Sequence, residues 1–480
     1  MKSKTILLPT RLLNDLEAFF NEHGSARKLK IDNALYIVGL ITELESNYRN
    51  QSEEEFDNYI PLDSQLLKQV ISKYNIYLEL LVEQDFLDKK NYSTDRRRSN
   101  AFKITDKYLD DVEWQSYELT NPILLKKFDE KGLSEYHKVK WEQVEQHRPH
   151  LIKFFNDKLK IKDDRAYQVT LVKSGDNERS FRTSLQIITE FRKKIWKAST
   201  SNGDNRLHTN LTRCPKAIRQ FISYDGEPIV GCDIKSSQPF FLAVLITAII
   251  KKDKSLLEKI KATKILSNTV IEELFSLDLD VEELRRYTNE ILNGDIYLDL
   301  AEQIEFKYNE DSKPYRDVYN SKGKKVKGRF TARKVVTYNS ERDLVKQVFM
   351  EILYSSPDTR IPEATVFRER YPSIHKIVKC LHGNNVKFSY LLQYVEAYIL
   401  LDEVAFRFSK EFPDIPIWSI HDSLVTTEQH KETLKDFMVK EIKSITGLKP
   451  KVEYEDWKEK PSNNRPHPNR KRLNKARRGL

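Results

Sequence analysis

Two aspartates border short apolar runs that are rich in β-branched residues. Asp233 lies near the end of the run 229–234, and Asp422 lies between the runs 417–420 and 424–426. Such runs favour strands, and the polar residues between the last two favour a tight turn. On neighbouring strands the two carboxylates would bridge a pair of divalent cations about 4 Å apart, as nucleotide addition requires. A plain turn is the alternative for Asp422, because aspartate is favoured in turns for local reasons.

A helix is predicted between the two aspartates, from about Ser340 to Tyr354. Residues spaced four apart lie along one side of a helix, and here they are Arg342, Lys346, Met350 and Tyr354. Arg342 and Lys346 offer two cations to a triphosphate, and Tyr354 offers a ring for stacking beside a base or sugar. Each residue also has an ordinary alternative, since exposed Arg and Lys at this spacing are common and Tyr354 fits a core.

These segments resemble motifs of the family A DNA polymerases and of the related single-subunit RNA polymerases of phages and mitochondria. The segment from Asp233 to Leu245 resembles their first palm motif, and that from His421 to Ser423 resembles the second. The stripe at 342–354 resembles their fingers-helix motif. The resemblance covers about 200–460. It implies a helix-rich α+β fold shaped like a right hand, with both aspartates on an antiparallel palm sheet.

The resemblance also implies roles for individual residues. Asp233 and Asp422 would hold two Mg²⁺ ions, for which Mn²⁺ would substitute, and Lys346 joins them as the third catalytic residue. The nucleotide-binding residues that it implies are Arg342, Lys346, Tyr354, Gln238 and Met350. The primer and template contacts that it implies are Arg206, His208, His421 and Gln393.

Departures from the family pattern leave the choice of sugar open. Gln238 stands where the DNA polymerases usually have a Glu that helps to exclude ribonucleotides. Ser355 follows the tyrosine where a Gly is usual, and Met350 and Ser423 are closer to the RNA polymerases. We find no paired-carboxylate motif of a proofreading exonuclease ahead of Arg206.

Residues 1–112 are predicted to form a separate module. Helical patterns are found between 33 and 84, and two strands are predicted at 86–88 and 101–104. This order resembles a winged-helix domain such as those in replication proteins of plasmids and phages. The segment between the strands would then be a DNA-contacting wing that carries Arg96, Arg97 and Arg98. The alternative is a solvated hairpin on a module that contacts proteins.

The rest of the chain divides by composition. Residues 113–200 are charged and mostly helical, including an amphipathic helix predicted at 184–199, and would serve as a thumb-like region. Residues 201–460 form the predicted palm and fingers, and 461–480 form a basic tail that is predicted to be disordered.

Composition favours a soluble, cytoplasmic protein that binds a polyanion. The 480 residues carry a net charge of +10 with an isoelectric point near 9.0. Lys322–Lys334 carries seven basic residues in thirteen and no acid. We expect no secretory signal, because only a brief apolar patch follows residues 1–4, and no apolar run is long enough to span a membrane. The three cysteines are far apart, which argues against structural zinc and a disulfide framework.

Together these features predict a DNA-dependent DNA polymerase for the replication of a mobile element, plasmid or phage, acting on a DNA template and primer with nucleoside triphosphates. One alternative is an RNA polymerase or primase on the same scaffold. Another is a non-catalytic DNA-binding replication or defence protein with a decayed palm. The sequence leaves open the natural template, the primer requirement, the host element, the oligomeric state and any protein partners.

Overall fold

The computed structural model describes residues 4–47, 59–91, 100–108, 113–130, 136–174, 178–201, 203–320, 324–326, 334–455 and 457. The arginines predicted for the wing (96–98), most of the basic segment 322–334 and the tail 461–480 lie outside these ranges. Within them the chain is helix-rich α+β, with helices packed on antiparallel sheets. Among the helices described, none combines the length and apolarity needed to cross a membrane.

The first part of the chain, up to residue 130, builds a core of its own. β1 pairs with β5, and β4 lies between β2 and β3 in a second antiparallel sheet. In chain order the elements are β1 (Lys4–Pro9), α1 (Thr10–Arg27), α2 (Ile31–Asn47), β2 (Ile60–Pro61), α3 (Ser64–Val70), α4 (Tyr74–Glu83), β3 (Leu87–Lys90), β4 (Ala101–Ile104), β5 (Trp114–Leu119) and α5 (Pro122–Glu130).

The local sequence explains where these helices begin. The Asp63 side chain accepts hydrogen bonds from the backbone N–H groups of Gln65 and Leu66, so α3 begins at Ser64. The helices and the two strands predicted between 33 and 104 are confirmed to within a few residues.

Most of the remaining elements contribute buried residues to the main core. Up to residue 234 they are α6 (Tyr136–His147), α7 (Pro149–Ile152), β6 (Leu159–Ile161), α8 (Asp163–Ser174), α9 (Glu178–Arg192), β7 (Ala198–Thr200), β8 (Leu207–Thr209), α10 (Asn210–Arg213), α11 (Lys216–Arg219), β9 (Ile222–Tyr224) and β10 (Glu227–Ile234). The rest are α12 (Ser237–Ile250), α13 (Lys254–Lys259), α14 (Asn268–Ser276), α15 (Val281–Asn293), α16 (Ile296–Ala301), β11 (Lys307–Tyr308), β12 (Pro314–Asp317), β13 (Val335–Thr337), α17 (Glu341–Tyr354), α18 (Pro362–Arg370), α19 (Pro372–Gly383), α20 (Phe388–Ala397), a π-helical segment (Tyr398–Val404), α21 (Ala405–Glu411), β14 (Trp418–Ile420), β15 (Ser423–Thr427), α22 (Lys431–Thr446) and β16 (Val452–Glu455).

One six-stranded sheet carries both aspartates of interest. Its strand order is β14-β15-β10-β9-β6, and β16 also pairs with β10. Every pair is antiparallel. Trp418 of β14 is fully buried behind the sheet and makes edge-on ring contacts with Phe154 and Tyr224. The sheet is therefore anchored to the core at the strand next to β15.

The helix that follows β10 has almost no exposed surface. Its sequence from Phe240 to Ile250 is apolar apart from Thr247, and residues 237–246 are all buried. A helix that is apolar all round lies in the interior of a fold. α12 packs against α15 and α20, so the segment after Asp233 is fixed on several sides.

Two helix predictions have different outcomes. The helix predicted from about Ser340 to Tyr354 is confirmed, because the Ser340 hydroxyl caps α17 by accepting from the N–H of Asp343 at 3.1 Å. The helix predicted at 184–199 is wrong at both ends: α9 runs from Glu178 to Arg192. Lys194 adopts a left-handed conformation just past its end, and 198–200 pairs with β8 as a strand.

Glu190 ties α9 to the β7–β8 hairpin and to α10. It is fully buried (0% exposed) and accepts from Lys197 Nζ at 2.9 Å, from Asn210 Nδ2 at 2.7 Å and from the Arg213 guanidinium. A buried carboxylate with this many charged and polar partners leaves them unpaired when it is removed.

We therefore predict that Glu190→Ala lowers the free energy of unfolding by about 3–5 kcal/mol, measured by urea denaturation. Glu282→Ala removes an exposed ion pair with Arg285 and should leave stability close to that of the wild type. Equal effects of the two substitutions would contradict a structural role for the buried cluster.

Candidate active site

The β10–β15 ladder brings the two aspartates together. Asp233 is opposite Ser423 in the register, so Asp422 lies beside it in the turn between β14 and β15. The two strands are neighbours, as predicted. Asp422 itself lies in the turn just before β15. The Ser423 hydroxyl closes the turn by donating to the Ile420 carbonyl at 2.9 Å.

Strained backbone flanks both carboxylates. His421, just before Asp422, has φ +56°, and Ser236, three residues after Asp233, has φ +54°. Side chains with a Cβ rarely adopt this left-handed conformation, and such residues concentrate at functional sites. The two tight changes of chain direction set the carboxylates at the end of the β10–β15 ladder.

Asp233 lies close to other carboxylates, and one of its own oxygens has no hydrogen-bond partner in the described structure. Its Oδ1 is buried and has no hydrogen-bond partner among the described residues. Burial and then the neighbouring charges of Asp422 and Glu455 raise the pKa of Asp233 to about 8, while Lys346 acts in the opposite direction. Carboxylate oxygens are the ligands that Mg²⁺ prefers, and it commonly takes only one or two of them from a protein. In the described ranges no group of three or more His, Cys, Asp or Glu side chains is arranged to hold a metal.

The helix α17 supplies the cations nearest to the pair. Lys346 is exposed and close enough for its charge to lower the pKa of Asp233. Arg342, one turn earlier, instead pairs with Asp295, with Nε 2.9 Å from Oδ2. Lys235 Nζ lies 3.4 Å from the same oxygen. The Asp295 carboxylate therefore pairs with two cations, Arg342 and Lys235, near the start of α17. The sequence does not reveal these contacts.

The other two residues of the predicted stripe have different environments. Met350 is half-buried and packs against the main core. Tyr354 remains 38% exposed and hydrogen-bonds with the Gln393 side chain. Burial raises the pKa of Tyr354 to about 12, and the charges of Glu396, Arg206 and Asp422 also act on it. The far end of α17 therefore meets α20 close to the carboxylate pair.

Glu396 on α20 is the residue that sequence reasoning missed. Its carboxylate is 1% exposed and accepts hydrogen bonds from Arg206, Ser237 and Gln238. Burial and then the charge of Asp422 raise its pKa, which Arg206 and Ser237 counteract. The available signal was a lone acid among buried Leu391, Leu392, Val395 and Ala397 on one helix.

Gln238, which the resemblance assigns to the nucleotide, is almost fully buried, with only 6% exposed. Its Nε2 donates to Glu396 Oε1 at 2.8 Å, and its Oε1 is buried without a hydrogen-bond partner in the described ranges. The amide nitrogen of Gln238 is therefore already engaged by the Glu396 carboxylate.

The predicted primer and template residues fall into two groups. His208 on β8 and His421 are exposed and lie near each other. Desolvation, followed by the charge of Arg219, lowers the pKa of His421. Gln393 and Arg206 lie deeper, against Tyr354 and Glu396. The predicted Arg96, Arg97 and Arg98 are outside the described residues.

Comparison with known proteins gives little on which to build. No protein-family model matches the sequence, and no curated protein is significantly similar to it. One solved structure that matches is described as the POL domain of Pol1 from M. smegmatis in complex with DNA primer-template and dNTP. It is 11% identical over 70% of this chain and 73% of that chain, with a TM-score of 0.26. A superposition this loose does not establish a shared fold.

The raised pKa of Asp233 gives a pH dependence whose sign follows from proton linkage. Between about pH 4 and pH 8 the folded protein keeps a proton that the unfolded chain releases, so the free energy of unfolding falls as pH rises. We predict that Asp233→Asn removes this slope, which is at most about 1.4 kcal/mol per pH unit. The stability of the variant relative to wild type should therefore grow across this range in urea unfolding without divalent cations.

Asp358→Asn, which alters an exposed carboxylate outside this cluster, is the matched control and should follow the wild-type pH profile. A difference between Asp233→Asn and wild type that stays constant over the range would contradict the assigned charge crowding.

Proposed function

We propose that this protein is a template-directed nucleotidyltransferase, and specifically a DNA-dependent DNA polymerase. The observation that carries the proposal is the placement of Asp233 on β10 beside Asp422, in the turn that leads into the adjacent antiparallel strand β15, with Lys346 nearby. Two carboxylates and a cation in one cluster suit a reaction in which a phosphoryl group gains negative charge. The sheet would be the palm, α17 the fingers helix and 113–200 a thumb-like region.

The donor set at the pair fits Mg²⁺, with Mn²⁺ as a substitute. Asp233 offers an oxygen that has no partner in the described structure, and burial followed by repulsion from Asp422 and Glu455 raises its pKa. A divalent cation would offset both effects. Asp233 and Asp422 would hold the ions. When bound, the ions supply activation of a primer 3′-hydroxyl and neutralisation of the leaving pyrophosphate.

The protein's own residues would bind and orient the substrates. Lys346 is free to contact a triphosphate, whereas Arg342 would exchange one anionic partner, Asp295, for another. Tyr354 would face the base or sugar, with Gln393 holding its hydroxyl. His208 and His421, which are both exposed, would contact primer and template.

We further propose that residues 1–112 form a winged-helix module for DNA recruitment. Support comes from the order of α2, β2, α3, α4, β3 and β4, with β4 as the central strand of the small sheet. The helix before the hairpin, α4, exposes Glu79 and Glu83 and contains no Lys or Arg. Phosphate contacts would therefore fall to the segment between β3 and β4.

An RNA polymerase or primase on the same scaffold is the second candidate. It is favoured by the neutral Gln238, by Met350 and by Ser423, which closes the turn at Asp422. Primer extension with dNTPs and with NTPs on one template separates the two. Failure to extend with either type of nucleotide would favour a non-catalytic DNA-binding replication or defence protein. We also propose that the protein originates from a mobile element, plasmid or phage.

For the carboxylate pair we predict that Asp233→Asn and Asp422→Asn each reduce primer extension at least about a thousandfold, since loss of roughly 4 kcal/mol of transition-state stabilisation has that effect. Addition of Mg²⁺ should raise the melting temperature of wild type and of neither variant. Asp358→Asn should behave as wild type in both assays. Extension by either pair variant at a rate near wild type would refute the proposal.

For the N-terminal module we predict that replacing Arg96, Arg97 and Arg98 with Ala weakens DNA binding and lowers the slope of log affinity against log salt by up to about 3, as fewer counterions are released. Anisotropy titrations at several salt concentrations measure this. The control replaces the exposed Lys251, Lys252 and Lys254, which removes the same charge elsewhere. If both triple variants show the wild-type slope, the module is assigned to protein contacts.

A further inference from the structure

We infer that Glu396 is a positioning residue for sugar selection, because its single carboxylate fixes both Gln238 and Arg206. The inference rests on the proposed function and deepens it, since Gln238 stands where the DNA polymerases that the chain resembles have the Glu that helps to exclude ribonucleotides. Neither composition nor motif spacing points to Glu396.

The two carboxylate oxygens are divided between two parts of the fold. Oε1 accepts from the Ser237 hydroxyl and, at 2.8 Å, from Gln238 Nε2. Oε2 accepts from the Arg206 guanidinium at 2.5 Å. Ser237 and Gln238 form the first turn of α12, directly after the strand that carries Asp233, and Arg206 immediately precedes β8. One side chain on α20 therefore joins α12 to the β7–β8 hairpin.

Packing alone gives no reason for a charge at this position. Glu396 is 1% exposed on a helix whose neighbouring buried residues are apolar. Burial of a carboxylate costs several kcal/mol unless good partners compensate for lost hydration. Its three donors all come from residues that border the candidate site. What the charge provides is therefore the placement of those groups.

The contact also fixes which way the Gln238 amide points. An ionised carboxylate only accepts hydrogen bonds, so Gln238 must turn its nitrogen toward Glu396. A flipped amide would set two acceptors against each other. The side chain is thus held in one orientation within a buried environment, and an incoming sugar would meet a fixed obstacle rather than a mobile one.

The same turn of α20 supports a second nucleotide contact. Gln393, three residues before Glu396, hydrogen-bonds with the Tyr354 hydroxyl of α17. Glu396 and Arg206 lie near enough for their charges to act on that hydroxyl. Two of the side chains assigned to the nucleotide, Gln238 and Tyr354, are therefore held from α20.

The test compares kcat/KM for dATP and for ATP on one primed template. Wild type should prefer dATP, and Gln238→Gly should narrow the preference. Glu396→Ala should narrow it by about tenfold or more, as expected when a discriminating side chain loses its support. Glu396→Gln keeps the volume of the side chain, so it serves as the second variant if Glu396→Ala does not fold. The double variant Glu396→Ala with Gln238→Gly should show no further loss of dATP preference than Gln238→Gly alone, because the two residues act as one unit.

A reversed pair supplies the rescue. Gln238→Glu combined with Glu396→Gln exchanges carboxylate and amide and keeps a hydrogen bond between them, so it should recover a larger dATP preference than Glu396→Gln alone. The matched control is Glu283→Gln, which alters another buried carboxylate that holds the N–H groups of Ser373 and Ile374. It should leave the ratio unchanged even if it lowers stability.

The outcomes separate the inference from the proposed function. If wild type extends primers and Gln238→Gly narrows the preference while both Glu396 variants keep the wild-type ratio, the inference is wrong and the function stands. Equal losses for dATP and ATP in folded Glu396 variants would reduce Glu396 to a structural residue and also overturn it. If wild type extends primers with neither nucleotide, the proposed function is wrong, and so is the inference that rests on it.

Discussion

Asp233 and Asp422 are held side by side against their own repulsion, and much of the surrounding architecture makes that possible. A slip of one residue between β10 and β15 would turn Asp233 to the opposite face of the sheet. Three features oppose that slip. They are the ladder between β10 and β16, the buried Trp418 on β14 and the buried helix α12, which follows β10. The apolar core thus maintains a charge arrangement that isolated strands would not keep.

Buried ion pairs join irregular segments to this framework in several places. Arg148 clasps Asp402 through two nitrogens, at 2.5 and 2.6 Å, and donates to the Asn205 carbonyl at 2.9 Å. Asp402 lies in the π-helical segment after α20, a type of distortion found often at functional sites. This pair links Asn205 to the π-helical segment, Glu396 links Arg206 to α20, and Glu190 links α9 to α10. Each such pair costs desolvation when it forms, and removal of one partner leaves the other buried without compensation.

The sequence was informative where local chemistry decides the structure. The Ser340 cap and the four-residue spacing predict α17, and the apolar runs predict β10 and β15. Local patterns could not reveal partners that are distant in the chain. Glu396 meets Arg206 across 190 residues, and Asp295 meets Arg342 across 47. The end of α9 was misjudged because its periodicity continues past Lys194, where the backbone turns left-handed.

Backbone amides in a helix that is buried on all sides exchange with solvent only when a large part of the structure opens. By its burial α12 belongs to that slow class, and so does the strand end that bears Asp233. The helix α17 differs, because Asp343, Lys346 and Gln347 lie on an exposed face. We therefore expect backbone amides on the exposed face of α17 to exchange with solvent faster than those of α12.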